Sequence, residues 1–128
     1  MIGSSAYNYI NVLQKAADAS WLRNTILSNN LANVDTPNFK RQDVQFETYL
    51  IGQMAGGDTM DSYVNDMDLS TLAATIYTDN SNLSYRSDGN NVDIDTENAE
   101  YAKNQIKYRV MTDSISQEFS RLRMAMGK

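Results

Sequence analysis

Ser28-Asn29-Asn30-Leu31-Ala32-Asn33-Val34-Asp35-Thr36-Pro37-Asn38-Phe39-Lys40 closes a long helical pattern and sets the terms for the rest of the chain. Three Asn fall within five residues, and Asn is a poor helix former because its amide competes for backbone hydrogen bonds. Thr36 precedes the single proline of the chain, and a residue before proline is pushed out of the α region. Asn38 then stands where a turn residue is needed, and Asn is next to glycine in tolerating a left-handed backbone. The stretch predicts a helix with a defined end followed by a sharp turn. Three amides near the end of an apolar helix need partners when buried. Hydrogen bonds from Asn29, Asn30 and Asn33 to a neighbouring chain or to the Thr36-Pro37 turn would supply them.

Upstream, residues 6–34 read as one helix. Ala6, Ile10, Leu13, Ala17, Leu27 and Leu31 recur at spacings of three or four, apart from a polar gap at Ser20 and Asn24. A second stripe of Tyr9, Val12, Ala16, Ala19, Leu22 and Ile26 runs beside the first. Two apolar faces exceed what a single partner helix covers. A core helix in a compact bundle and a helix packed against neighbouring subunits both account for them. Trp21 follows the same division, as core or as an inter-subunit anchor.

A second helix is predicted from Asp95 toward Met126. Asp95 suits an N-cap, Glu97 and Glu100 suit the positive end of the helix dipole, and Arg121, Arg123 and Lys128 suit the other end. Tyr108, Met111, Ile115, Phe119, Leu122 and Met126 step by 3, 4, 4, 3 and 4, which averages to the α period. Between the helices, Arg41–Ile51 reads as a strand or a short helix, Gly52–Asp68 as a flexible loop, and Leu69–Ile76 as a short helical turn. Ile76-Tyr77-Thr78 and Leu83-Ser84-Tyr85 flank Asp79-Asn80-Ser81-Asn82 as a hairpin. The fold class is therefore mainly α. Long N- and C-terminal helices pair as a coiled-coil-like core, with a small irregular or β-hairpin middle segment. The organisation is 1–40 (helix plus Asn-rich turn), 41–91 (acidic, flexible) and 92–128 (helix). Two paired helices bury too little area to stand alone, so assembly of copies is expected to complete the order of the termini.

With 128 residues and 41% hydrophobic content the chain fits one modest core. Net charge is −5, which disfavours nucleic acid or an anionic membrane as partner. Residues 41–91 hold two positive and eight negative charges, while the ends are nearly balanced. Neither Cys nor His occurs, which leaves no disulfide, no zinc site of the usual kind and no Ser-His or Cys-His nucleophile. Asp93, Asp95, Glu97 and Glu100 cluster, but helix capping explains them better than paired-carboxylate catalysis. The EF-hand likeness of Asp93-x-Asp95-x-Glu97 fails at Asn98 and Asn104, where glycine and a bidentate acid are required. Neither catalysis, a cofactor, a metal nor a small-molecule substrate is expected. No apolar run is long enough to span a bilayer, and Met1-Ile2-Gly3-Ser4-Ser5 lacks the features of a cleavable Sec signal.

The Ser28–Lys40 stretch resembles the S-x-N-[LI]-A-N-x-x-T-P-G-[YF]-K signature of flagellar rod, hook and filament-type axial proteins, with Asn38 in place of its glycine. Asp88-Gly89-Asn90-Asn91-Val92-Asp93-Ile94-Asp95-Thr96-Glu97 and the following Tyr101–Tyr108 segment are similar to the opening of the last helix in the FlgB (proximal rod) family. The small-residue C-terminal segment of the FlgC sibling family is not found. The resemblance implies a subunit of the basal-body proximal rod, a hollow torque-transmitting shaft in the periplasm, reached through flagellar type III export. It implies as partners further copies of the chain, rod proteins of the FlgC and FlgF type, FliE, and the membrane-ring and export-gate base. The expected interface residues are Ile10, Leu13, Ala17, Trp21, Leu27, Asn29, Asn30, Leu31, Asn33, Thr36, Pro37, Phe39, Tyr108, Met111, Ile115, Phe119 and Leu122. A small helical adaptor or secretion chaperone that cradles a partner helix is the alternative, and it gives the Asn-rich Thr-Pro stretch no role.

Overall fold

The computed structural model describes residues 2–54, 68–70, 72–81 and 86–127. Its elements in order are α1 (Ile2–Ala32), β1 (Gln42–Gln45), α2 (Glu47–Met54), β2 (Thr75–Thr78) and α3 (Ile94–Met126). The two long helices carry 31 and 33 residues, each about 45–50 Å at 1.5 Å per residue. They pair antiparallel. Tyr7 shares a surface groove with Phe119 and Leu122, Ser20 meets Asn104, Arg23 meets Glu100, and Asn30 meets Glu97. Position rises along α1 as it falls along α3.

The seam buries Ile10, Ala17 and Leu27 of α1 and Leu122 of α3. Leu27 is wholly enclosed, and full burial of such a side chain is worth about 1.5–3 kcal/mol. The polar gap in the α1 stripe has a structural use. The Asn104 amide donates to the Ser20 carbonyl at 2.7 Å, and the Ser20 hydroxyl donates to the Met111 sulfur at 3.6 Å. Beside this point Ala16 and Ala19 leave room for Phe46 and Leu72, which pack there with Leu50, Leu69, Ala74 and Met111 flanking them. The middle of the chain thus contributes buried apolar groups to the helix pair.

Several local expectations are revised. Arg41–Ile51 is both of the predicted elements in turn, β1 and then the start of α2, with the Phe46 carbonyl accepting from the Leu50 amide at 3.0 Å. Leu69–Ile76 holds a turn, closed by the Leu72 amide on the Leu69 carbonyl at 3.3 Å, but is extended by Thr75. β2 pairs with β1, antiparallel, with Gln42 opposite Thr78 and Val44 opposite Ile76. The predicted partner strand Leu83–Tyr85 lies outside the described residues, as does most of the Gly52–Asp68 loop. The α3 cap falls at Asp93 and not at Asp95. Asp93 is extended (φ −96°, ψ 110°), and its carboxylate accepts from the Asp95 amide at 3.2 Å and the Thr96 hydroxyl at 2.9 Å. Burial of Val92 anchors the chain just ahead of Asp93, which makes the earlier acid the cap.

Candidate functional site

At the C-terminal end of α1 the last carbonyls have no intrahelical donors. The chain meets them with amides. Asn33 donates to the Asn29 carbonyl at 2.8 Å and accepts from the Thr36 hydroxyl at 3.1 Å, which fastens the Thr36-Pro37 turn to the helix as expected. Asn38 adopts φ +60°, the left-handed state anticipated for it. Asn90, 1% exposed, reaches back across more than fifty residues. Its amide nitrogen donates to the carbonyls of Asn33, Val34 and Thr36 at 2.9, 3.0 and 2.9 Å. Arg86 adds a bond to the Val34 carbonyl at 2.7 Å. The backbone is laced in the same place, with the Asn38 amide on the Asp88 carbonyl at 2.8 Å and the Asn91 amide on the Phe39 carbonyl at 3.2 Å. Lys40 donates to the Gly89 carbonyl. Gly89 sits at φ +77° facing Asn38, and a Cβ there would collide with the Asn38 side-chain amide oxygen Oδ1.

Next to this turn lies a buried charge network. Asn30, fully enclosed, holds both backbone groups of Gln42: its nitrogen donates to the carbonyl at 2.7 Å and its oxygen accepts from the amide at 3.0 Å. The same nitrogen donates to Glu97 at 3.1 Å. Glu97 is 1% exposed and also pairs with Arg41. Arg41 continues to Asp43 at 3.1 Å and Asp79 at 3.3 Å. Asp43 binds Arg23 through both of its oxygens, at 2.7 and 3.2 Å, and Arg23 reaches Glu100 at 3.0 Å. Asn91 closes the ladder of the sheet, accepting from the Arg41 amide at 2.7 Å and donating to the Asp79 carbonyl at 2.6 Å.

The electrostatics follow from these partners. Burial alone would raise the Asp43 carboxyl, but bonds from Arg23, the Val44 amide and Arg41 outweigh it and hold the group below the ordinary aspartate range. The hydrogen bond to Asp43 raises Arg23 above its usual value. Arg41 is raised as well, since its bonds to Glu97 and Asp43 overcome the cost of burial. Glu100 is lowered chiefly by Arg23, and Asp79 chiefly by the Ser81 amide. The acids that cluster in sequence therefore part company in space. Asp93 caps, Glu97 and Glu100 turn to different arginines, and Asp95 is exposed. Among the described residues no group of acids is arranged to hold a metal ion.

The expected interface residues divide into three sets. Ile10, Ala17, Leu27, Asn30 and Leu122 are buried in their own chain. Leu13, Leu31, Asn33, Phe39, Tyr108, Met111 and Ile115 are half-buried. Trp21, Asn29, Thr36, Pro37 and Phe119 are exposed. Trp21 is 59% exposed and stacks at a tilt on Tyr108, ring centres 5.5 Å apart, so it is no core residue of the single chain. Ile106, Val110 and Met126 join the exposed apolar set. Sequence reasoning left out Arg23, Arg41, Asp43, Asn90, Asn91 and Asn104. A signal for two of them was present, since Asn90-Asn91 repeats the amide pairing of Asn29-Asn30.

The Asn-rich turn and the helix leading into it, residues 10–40, match the family described as flagella basal body rod protein. Along most of its length the chain is similar to proteins named flagellar basal body rod protein FlgB. That of Bacillus subtilis is 29% identical over 118 residues, 91% of this chain and 92% of the relative. That of Borreliella burgdorferi is 30% identical over 131 residues, covering 94% and 92%. The Escherichia coli relative is 30% identical over 112 residues, 80% and 81%. With both the turn and the segment that clasps it inside these matches, the chain belongs to the FlgB family of flagellar basal body rod proteins.

Proposed function

We propose that this chain, as a structural subunit of the basal-body rod, builds the proximal part of that rod in the periplasm. There it packs against further copies of itself, rod proteins of the FlgC and FlgF type, and FliE at the membrane-ring and export-gate base. Residues 1–40 and 92–128 form the packed shaft and 41–91 the outer segment. The role is mechanical and involves no catalysis, and the chain reaches its place by type III export.

One observation carries this reading. The helix pair is closed at its polar end, yet leaves Trp21, Ile106, Val110 and Phe119 outside, each at least half exposed. Exposed apolar rows on a long helix pair mark contacts with other proteins, and many modest contacts suit a shaft that carries torque. Trp21, Phe119, Asn29, Thr36 and Pro37 are the contacts to neighbours. Ile10, Ala17, Leu27, Asn30 and Leu122 act by fixing the shape of the pair. Among the described residues no helix is long and apolar enough to cross a membrane.

The test is electron microscopy of basal bodies from a strain lacking the gene. Membrane rings without a rod are expected, restored by the intact gene and not by the Trp21→Asp, Phe119→Asp double variant. A complete rod in the deletion strain overturns the role and favours the helical adaptor.

A further inference from the structure

Glu97 and Asn104, both buried, mark the face of α3 that lies against α1. At roughly 100° per residue, the opposite face of the same helix carries Asp95, Ala99, Ala102, Ile106 and Arg109. All five are exposed, Ile106 at 66%. Their steps of 4, 3, 4 and 3 make a continuous seam of the kind that packs on another helix. Both charges on it are open. Among the described residues neither Asp95 nor Arg109 has an ion-pair partner.

The seam is complementary to itself. Asp95 and Arg109 stand seven residues to either side of Ala102. We propose that two copies of the free chain pair antiparallel through this face of α3, with the two-fold axis beside Ala102. Asp95 of each copy then meets Arg109 of the other, and Ile106 of each lies over Asn98 and Ala99 of the other. The alanines let the two helices approach closely, and removal of Ile106 from water supplies the apolar gain. Lys103 of the two copies comes near the axis, where each is already paired with its own Glu100 at 3.2 Å.

Charge selects this arrangement. Parallel copies in register set Asp95 against Asp95 and Arg109 against Arg109. A parallel shift of fourteen residues joins Asp95 to Arg109 but brings Arg109 to the exposed Arg123. An unrelated partner has no need of an acid and a base equally distant from one alanine, whereas a two-fold contact requires that symmetry. Such a contact closes on itself and does not propagate, so the pair covers Ile106 in the free chain without starting a polymer. It is separate from the open contacts of a shaft, and stands on the seam whatever larger assembly the chain joins.

The test is sedimentation equilibrium of the full chain from micromolar to millimolar concentration. A monomer–dimer equilibrium that weakens as salt rises is expected. Asp95→Arg and Arg109→Asp should each weaken the dimer at least several-fold, since two exposed pairs turn repulsive at once, and the two changes together should restore it. The chain has no Cys, so Ala102→Cys places a single thiol beside the axis. It should oxidise to a linked dimer much faster than Arg121→Cys, which lies far along the same helix. Four results each overturn the proposal: a monomer at every concentration, growth beyond a dimer, a double swap no better than the single ones, or equal linkage of the two cysteine variants.

Discussion

The two ends of the helix pair are built on opposite principles. Where α1 stops and α3 begins, the interior is polar. Asn30, Asp43, Asn90, Asn91 and Glu97 are all buried and all partnered within the chain. Where α1 begins and α3 stops, the surface is apolar, with Tyr7, Phe119, Met124 and Met126 exposed. Apolar burial is non-directional and tolerates many arrangements, whereas a buried amide or carboxylate accepts only the geometry that satisfies it. The polar end fixes how the helices register with each other and with the turn. The apolar end leaves these side chains uncovered by their own chain.

If that contrast is right, acid should strike the polar end first and hardest. Asp43, Glu100 and Asp79 are each held below their ordinary range in the folded chain. Their contribution is therefore present above the unfolded carboxylate range and is lost as pH falls through and below it. Urea midpoints taken from pH 7 down to pH 3 should decline steadily over the acid part of that span, and Asp43→Asn should flatten the decline. A midpoint indifferent to acid would mean that the network is not formed as described.

Single substitutions grade the same end. Glu97→Ala strips Arg41 and Asn30 of a buried partner, and should cost about 3 kcal/mol in chemical denaturation, as breaking a buried pair does. Asn90→Ala orphans carbonyls at the end of α1, and about 2 kcal/mol is expected. Its amide exchange should quicken in the Asn38–Phe39 turn before anywhere else. Gly89→Ala forces a side chain into φ +77° against Asn38, for about 1–2 kcal/mol. Adding Asn38→Gly should return part of that loss, because it removes the atom in the way. If the double change is no better than the single one, backbone strain alone accounts for the cost.

The contrast also explains what could be read from the sequence. Both long helices were legible because their periodicity is local, as were the left-handed Asn38 and the bond from Thr36 to Asn33. The polar end was not, because its partners lie far apart in sequence. Asn30 and Glu97 are 67 residues apart, and Asn104 and Ser20 are 84 apart. A pattern of residues shows that an amide needs a partner and does not show which one. The choice of Asp93 over Asp95 as cap has the same origin, since both acids satisfy the local rule and the burial of Val92 decides between them. Likewise β2 looked like half of a local hairpin, whereas it pairs with β1 thirty residues earlier through a ladder whose end the Asn91 amide closes.

The smallest effect on stability is the most telling for function. Phe119 is half exposed at the apolar end, so Phe119→Ser removes little burial from the single chain, and its unfolding free energy should shift by no more than about 0.5 kcal/mol. The same variant should fail to restore rods and motility in the deletion strain, if the exposed ring is a contact to a neighbour as proposed above. Glu97→Ala gives the reverse order, a large loss of stability with assembly impaired only in proportion to the unfolded fraction. Purified chain in a denaturant melt and basal bodies under the microscope read the two quantities separately. A Phe119→Ser chain that melts well below the parent would place that residue in the core of its own chain. One that melts like the parent and still builds rods would leave the apolar end without a partner, and the division of labour between the two ends would be lost.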